Sequence, residues 1–284
     1  MNKPITVKIL VTVNDFSRFD ACTLCFETLR VGWPTADIHI YVNGDRYVTA
    51  ILDKLDYFFQ QSKPGRLFWH QEYPVVHHAD WIRLQLTESY PGPLVICDPD
   101  TVFWKSCEDW EFNERTLLAG YYVPRMWNDF ACCVSVPRIH TSLMVFPDAN
   151  DLRCALQGAY TEAWKKHGEY CPCDPFMGRV MFDEGKPLFW DCCANLYNML
   201  QKVPKSVSHF GEEHKACYDH LNSASFYDVM RDRLETKNRE GFIMAHDKWV
   251  KNPVPGLWPL VDEYYEQKRI EGWLRLPTEE TFRL

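Results

Sequence analysis

The chain has 284 residues, 46% of them hydrophobic and 25% charged, enough to bury a full core as one large domain with or without an extension. A net charge of −8 argues against a polyanion as the main partner, since whole-surface nucleic-acid binding requires a basic surplus. The opening residues hold no apolar signal segment, and no apolar run approaches the ~20 residues that span a bilayer, so a cytoplasmic protein without a membrane span is expected.

Taken in order, the first half alternates strand and helix. Ile5–Val13 is a β-branched buried strand, and Phe19–Val31 follows with helical spacing through Phe19, Cys22, Phe26 and Leu29. Trp33-Pro34 stops that helix. Asp37–Val42 is a second strand ending at Asn43-Gly44-Asp45, Tyr47–Gln61 reads as a helix, and Leu67–His70 is a short third strand. His77–Tyr90 is helical through Trp81, Leu84 and Leu86 until Pro91-Gly92-Pro93, after which Leu94–Cys97 forms a fourth buried strand. Strands alternating with helices imply a parallel sheet with helices on both faces, with ligands bound beyond the strand carboxyl ends.

The second half is mixed. Leu117–Val123 and Ser142–Phe146 read as strands, and Asp151–His167 and Asp191–Gln201 as helices. Val203–Phe210 leads to a histidine, and Phe226–Asn238 and Val261–Ile270 are amphipathic helices around a Pro-rich stretch. The expected division is a catalytic domain over 1–220 and a helical C-terminal extension over 221–284. Twelve cysteines, several in close pairs such as Cys22/Cys25 and Cys171/Cys173, read as free thiols that behave as small hydrophobes.

One tripeptide carries chemistry. Asp98-Pro99-Asp100 ends the apolar run Leu94–Cys97, so two carboxylates one residue apart stand at a strand's carboxyl end. Such a pair can chelate one hard cation, Mn2+ or Mg2+, which commonly keeps phosphate oxygens in its shell. The proline stiffens the turn, and its missing N–H costs nothing where the strand has ended.

The stretch from His78 through Asp80 and Arg83 to Asp98, Asp100 and Phe103 resembles the core of GT-A fold glycosyltransferases, most closely the retaining glycogenin-like and toxin-like families. The resemblance implies an α/β, GT-A-like Rossmann-type mixed sheet flanked by helices. It also implies that Asp80 touches the donor ribose or sugar and Arg83 the diphosphate; one helical turn separates them, so they share a side. Ser142, in Arg138–Phe146, takes the place of a small residue under the donor sugar, and Asp191 that of the carboxylate nearest the reacting carbon. Ser208-His209-Phe210-Gly211 is similar to the segment supplying a third metal ligand, with His214 and His246 as rivals for His209. Lys215 would assist the phosphates, with Lys248 its counterpart if His246 is the ligand. Thr12 and Asn14 at the first strand's exit, and Asp45 at the second's, would contact the nucleotide.

The function implied is metal-dependent transfer of a sugar from a nucleoside diphosphate sugar, expected to be a UDP-sugar, with retention. The acceptor stays open among glycan, protein, small molecule and modified DNA. A basic strip of Arg231, Arg233, Lys237 and Arg239 reads as a solvated helix face. A nucleotidyltransferase acting on sugar phosphates would open with a Gly-rich loop that Val11–Ser17 lacks. A non-catalytic sugar-binding module on a decayed GT-A fold is the other alternative, against which the intact Asp80, Arg83, Asp98 and Asp100 stand.

Overall fold

A computed structural model of the chain describes residues 3–12, 19–43, 66–72, 78–128, 133–154, 156, 179–183, 186–190 and 193–220. The expected helix at 47–61 and the expected C-terminal extension lie outside these residues.

A seven-stranded sheet forms the frame. Its strands are β1 (Thr6–Thr12), β2 (Asp37–Asn43), β3 (Leu67–Glu72), β4 (Leu94–Cys97), β6 (Leu118–Val123), β9 (Arg138–Phe146) and β12 (Val207–His209), in the order β12-β6-β9-β4-β1-β2-β3. β1 runs parallel to both β2 and β4, whereas β9 is antiparallel to β4 and β6. The α/β fold with a mixed sheet is therefore the one expected. β5 (Thr101–Phe103) and β13 (Tyr218–His220) make a separate two-stranded ribbon. β7 (Met126–Asn128), β8 (Cys133–Ser135), β10 (Arg179–Asp183) and β11 (Lys186–Trp190) pair in a four-stranded sheet.

Both faces of the central sheet are buried, and strand alternation sorts its side chains between two cores. Val7, Ile9 and Val11 of β1, with Val95 and Cys97 of β4, face the first core. There they meet Cys25, Phe26 and Leu29 of helix α1 (Phe19–Gly32) and Trp33 beyond it. Leu10, Leu94 and Ile96 face the second, which is closed by Trp81 and Ile82 of α2 (His78–Gln85) and by Leu196, Tyr197 and Leu200 of α3 (Ala194–Leu200). The near-continuous apolar strands of the sequence follow from this double burial.

Lys8 breaks the pattern on the central strand. It is 2% exposed, and its Nζ donates to Gln85 Oε1 at 2.7 Å and to Glu88 Oε2 at 2.6 Å, with the Tyr41 and Tyr90 rings 5.4 and 5.1 Å away. The ammonium ties the end of α2 to β1, and its charge is paired, as burial requires. Cys25, Cys97, Cys107, Cys154, Cys193 and Cys217 are free thiols, all buried except Cys154.

Candidate metal centre

The parallel strands β1 and β2 send the chain one way across the sheet, and β4 lies on the other side of β1. That reversal makes the carboxyl ends of β1 and β4 the switch point of the sheet, the place where α/β sheets bind ligands. Asp98 and Asp100 stand there, in the turn closed by the Thr101 N–H on the Asp98 carbonyl at 3.2 Å. Both are buried, Asp100 with only 1% exposure.

The imidazole that meets them is His220. Its Nε2 lies 2.9 Å from Asp100 Oδ1 and 3.6 Å from Asp98 Oδ2. β13 delivers it by pairing antiparallel to β5, so that His220 lies opposite Thr101, the residue after Asp100. The ribbon is anchored by the Trp104 indole N–H on Asp219 Oδ2 at 3.0 Å and by the Trp104 backbone N–H on the Cys217 carbonyl at 2.7 Å.

Two more imidazoles approach. His78, the first residue of α2, places Nε2 3.7 Å from Asp98 Oδ1. His140 comes from a bulge in β9. Gly120 pairs with Met144 and Tyr122 with Ile139, so residues 140–143 stand opposite Tyr121 alone. A bulge re-aims the side chains it carries. Here it brings the Thr141 hydroxyl to Asp98 Oδ2, donating at 3.1 Å, and lets the Ser142 N–H donate to His140 Nδ1 at 3.0 Å. The Ser142 carbonyl accepts from the Asp98 N–H and the Thr101 hydroxyl, fixing the acidic turn from beneath. Ligand atoms of Asp98, His140 and His220 lie within 4.8 Å of one another.

Electrostatics couple the group. Burial alone would raise the Asp98 carboxyl, but the hydrogen bond from His220 and the neighbouring His78, His220 and His140 overrule it and hold it at about 2. Burial would lower His220, yet Asp100 and Asp98 push it well above the usual imidazole range. Burial, reinforced by the charges of His220 and Arg138, takes His140 down to about 3. The imidazolium of His220 thus supplies the positive charge that two buried carboxylates demand. A divalent cation satisfies the same demand through the same atoms, and a set of oxygen and imidazole donors suits Mn2+. The residues fit a metal.

The structure places His209 away from the acidic pair. His209 ends β12, with β6 and β9 between it and β4, about 14 Å at ~4.8 Å per strand. Its ring stacks on Tyr122 at a centroid distance of 4.7 Å and sits 3.5 Å from the Tyr197 hydroxyl. His214 is also engaged elsewhere, stacked on Phe210 at 5.1 Å, with Nδ1 accepting from the Gly211 N–H. The imidazole against Asp100 is His220, which no motif marked. His246 lies outside the described residues.

The remaining expected residues divide. Arg83 is on α2, five residues beyond His78, and Asp80 is on the same helix with its side chain outside the described set. Ser142 is 2% exposed and acts on Asp98 through its backbone carbonyl. Lys215 pairs with Glu212 at 2.9 Å and lies over the Tyr121 ring at 5.1 Å. Thr12 ends β1 opposite Asn43, its side chain outside the described set. Asn14, Asp45 and Asp191 lie outside the described residues.

No family model matches the chain, and no curated protein matches it. Among solved structures it is similar to the glycosyltransferase GlyE of Streptococcus pneumoniae TIGR4, at 11% identity over 75% of this chain and 46% of that one, with a TM-score of 0.42. It is similar to 4-diphosphocytidyl-2C-methyl-D-erythritol synthase of Anaerococcus prevotii, at 12% identity over 84% and 96% of the two chains, with a TM-score of 0.47. A third is the mannosyltransferase PcManGT of Pyrobaculum calidifontis in complex with GDP-Man and Mn2+, at 11% identity over 96% and 82%, with a TM-score of 0.40. The chain spans less than half the length of GlyE. At these identities and scores the likeness is one of chain path and says nothing of chemistry.

Proposed function

We propose that the chain is a metal-dependent glycosyltransferase that takes a sugar from a nucleoside diphosphate sugar, with UDP-sugars as the first donors to test. One observation carries the reading: two buried carboxylates, Asp98 and Asp100, converge on the His220 imidazole at the carboxyl end of a central strand. Asp98, Asp100 and His220 would hold Mn2+ or Mg2+, which neutralises charge on a departing diphosphate. Thr141 orients Asp98, and the Ser142 carbonyl holds the turn, so the carboxylates are preorganised rather than recruited on binding. Arg83, on the helix that also presents His78 to Asp98, would add a guanidinium to the diphosphate.

Asp80 toward the ribose or sugar and Asp191 near the reacting carbon complete the proposal, together with Thr12, Asn14 and Asp45 at the nucleotide. Retention, the donor sugar and the acceptor belong to it as well, and a cytoplasmic location suits a soluble acceptor. The test is a panel of nucleotide sugars incubated with the protein and Mn2+, following release of the nucleoside diphosphate without added acceptor. Slow hydrolysis of one donor, abolished by chelation and by Asp100→Asn, is the expected result. Silence across all donors while Mn2+ and sugar still bind would leave only a binding module.

A further inference from the structure

One imidazole of the centre has its chemistry set by the backbone. Within the irregular stretch of β9 the Ser142 N–H donates to His140 Nδ1 at 3.0 Å. A backbone N–H can only donate, so Nδ1 accepts, and the proton of the neutral ring resides on Nε2. Metal ligation uses an imidazole lone pair, and a ligating histidine donates the proton on its other nitrogen to an acceptor. His140 faces the reverse arrangement, a donor on its far nitrogen. Ligation through Nε2 would move the proton to Nδ1 and strand the N–H of Ser142, a residue only 2% exposed.

We propose that His140 is a hydrogen-bond donor to the diphosphate of the nucleotide sugar and not a metal ligand. This assignment rests on reading the site as a nucleotide-sugar centre. Its ring stands edge-on to His220 at 5.0 Å between centroids, within the group formed with Asp98. A donor there would stand beside an anion held by a metal on Asp98 and His220. Being uncharged, it adds a fixed dipole without repelling the cation.

The test combines wild-type protein with His140→Asn, His140→Gln and His220→Gln. Asparagine keeps an acceptor for the Ser142 N–H but lacks the distal donor, and glutamine restores a donor near the Nε2 position. Mn2+ affinity is read from the electron paramagnetic resonance of free Mn2+, and UDP and GDP affinity with Mn2+ present by calorimetry. His220→Gln should weaken Mn2+ about tenfold or more, whereas both His140 variants stay within about twofold of wild type. His140→Asn should weaken the nucleoside diphosphate about tenfold, and His140→Gln should recover most of it. The 15N spectrum of ligand-free wild type should show the His140 proton on Nε2, a check that needs no variant to fold.

Mn2+ binding weakened in both His140 variants as much as in His220→Gln would make His140 a ligand and overturn the proposal. Unchanged nucleotide affinity in His140→Asn, or a proton on Nδ1, overturns it equally. Wild-type protein that binds neither Mn2+ nor a nucleoside diphosphate brings down the functional reading with it. Wild type that binds both, with His140→Asn unaltered, removes the His140 assignment alone.

Discussion

At the scale of single residues, the centre depends on which atoms reach the Asp98 and Asp100 carboxylates. His220 lies within 3.6 Å of both, while His209 is occupied by Tyr122 and Tyr197. The two histidines should therefore separate cleanly in a thermal-shift titration with Mn2+. His220→Gln should diminish the Mn2+-dependent rise in melting temperature, Asp98→Asn and Asp100→Asn should abolish it, and His209→Gln should leave it intact. An equal loss in His209→Gln would return that residue to the ligand set. The acidic pair was legible in the sequence because it closes a four-residue apolar strand. His220 was not, because Tyr218-Asp219-His220 has neither an apolar run nor a motif, and its partner strand lies more than a hundred residues earlier.

At the scale of elements, the bulge in β9 and the lysine in β1 tie neighbouring strands and helices together. A Cβ on Gly120 would stand 2.3 Å from Ile139 Cγ2 and 3.0 Å from the Leu143 carbonyl oxygen, where β6 crosses the bulge. Gly120→Ala should cost about 1–3 kcal/mol in denaturant unfolding through overpacking. It should weaken Mn2+ binding as well, because the same bulge aims Thr141 at Asp98. Lys8→Met leaves the Gln85 side-chain Oε1 without the Lys8 ammonium in a site 4% exposed, for an expected loss of about 1–3 kcal/mol. Glu88, whose side chain is 53% exposed, can return to water. Unchanged stability in Lys8→Met would mean the ammonium contributes nothing beyond its packing. Elements buried on both faces, such as β1 and β4, could be read from composition alone. The bulge could not, since Arg138–Phe146 contains no Gly or Pro to announce an irregularity.

At the scale of the whole molecule, stability should respond to acid through His39. Its ring hydrogen-bonds His70, Nδ1 to Nε2, at 3.0 Å, and burial, then the charges of Lys8 and His70, hold it down at about 4. The folded value lies below the ordinary 6.5, so between those two values the unfolded chain binds the proton more readily. The stability contributed by neutral His39 is full above pH ~6.5 and falls as the pH drops toward 4. Denaturant midpoints of wild type and His39→Leu at pH 7, 5.5 and 4.5 should show wild type losing ground to the variant. A constant difference over that range would remove His39 as the cause.

The ribbon of β5 and β13 has a consequence for how the protein matures. Asp98 and Asp100 leave the ribosome well before His220, and the three meet only when the last described strand has closed against β5. Contacts so distant in sequence form slowly relative to local ones. A chain with its sheet assembled but β13 undocked would look folded to far-ultraviolet light and still be blind to metal. The gain of Mn2+ binding during refolding would time the closure of that ribbon, separately from the appearance of the sheet.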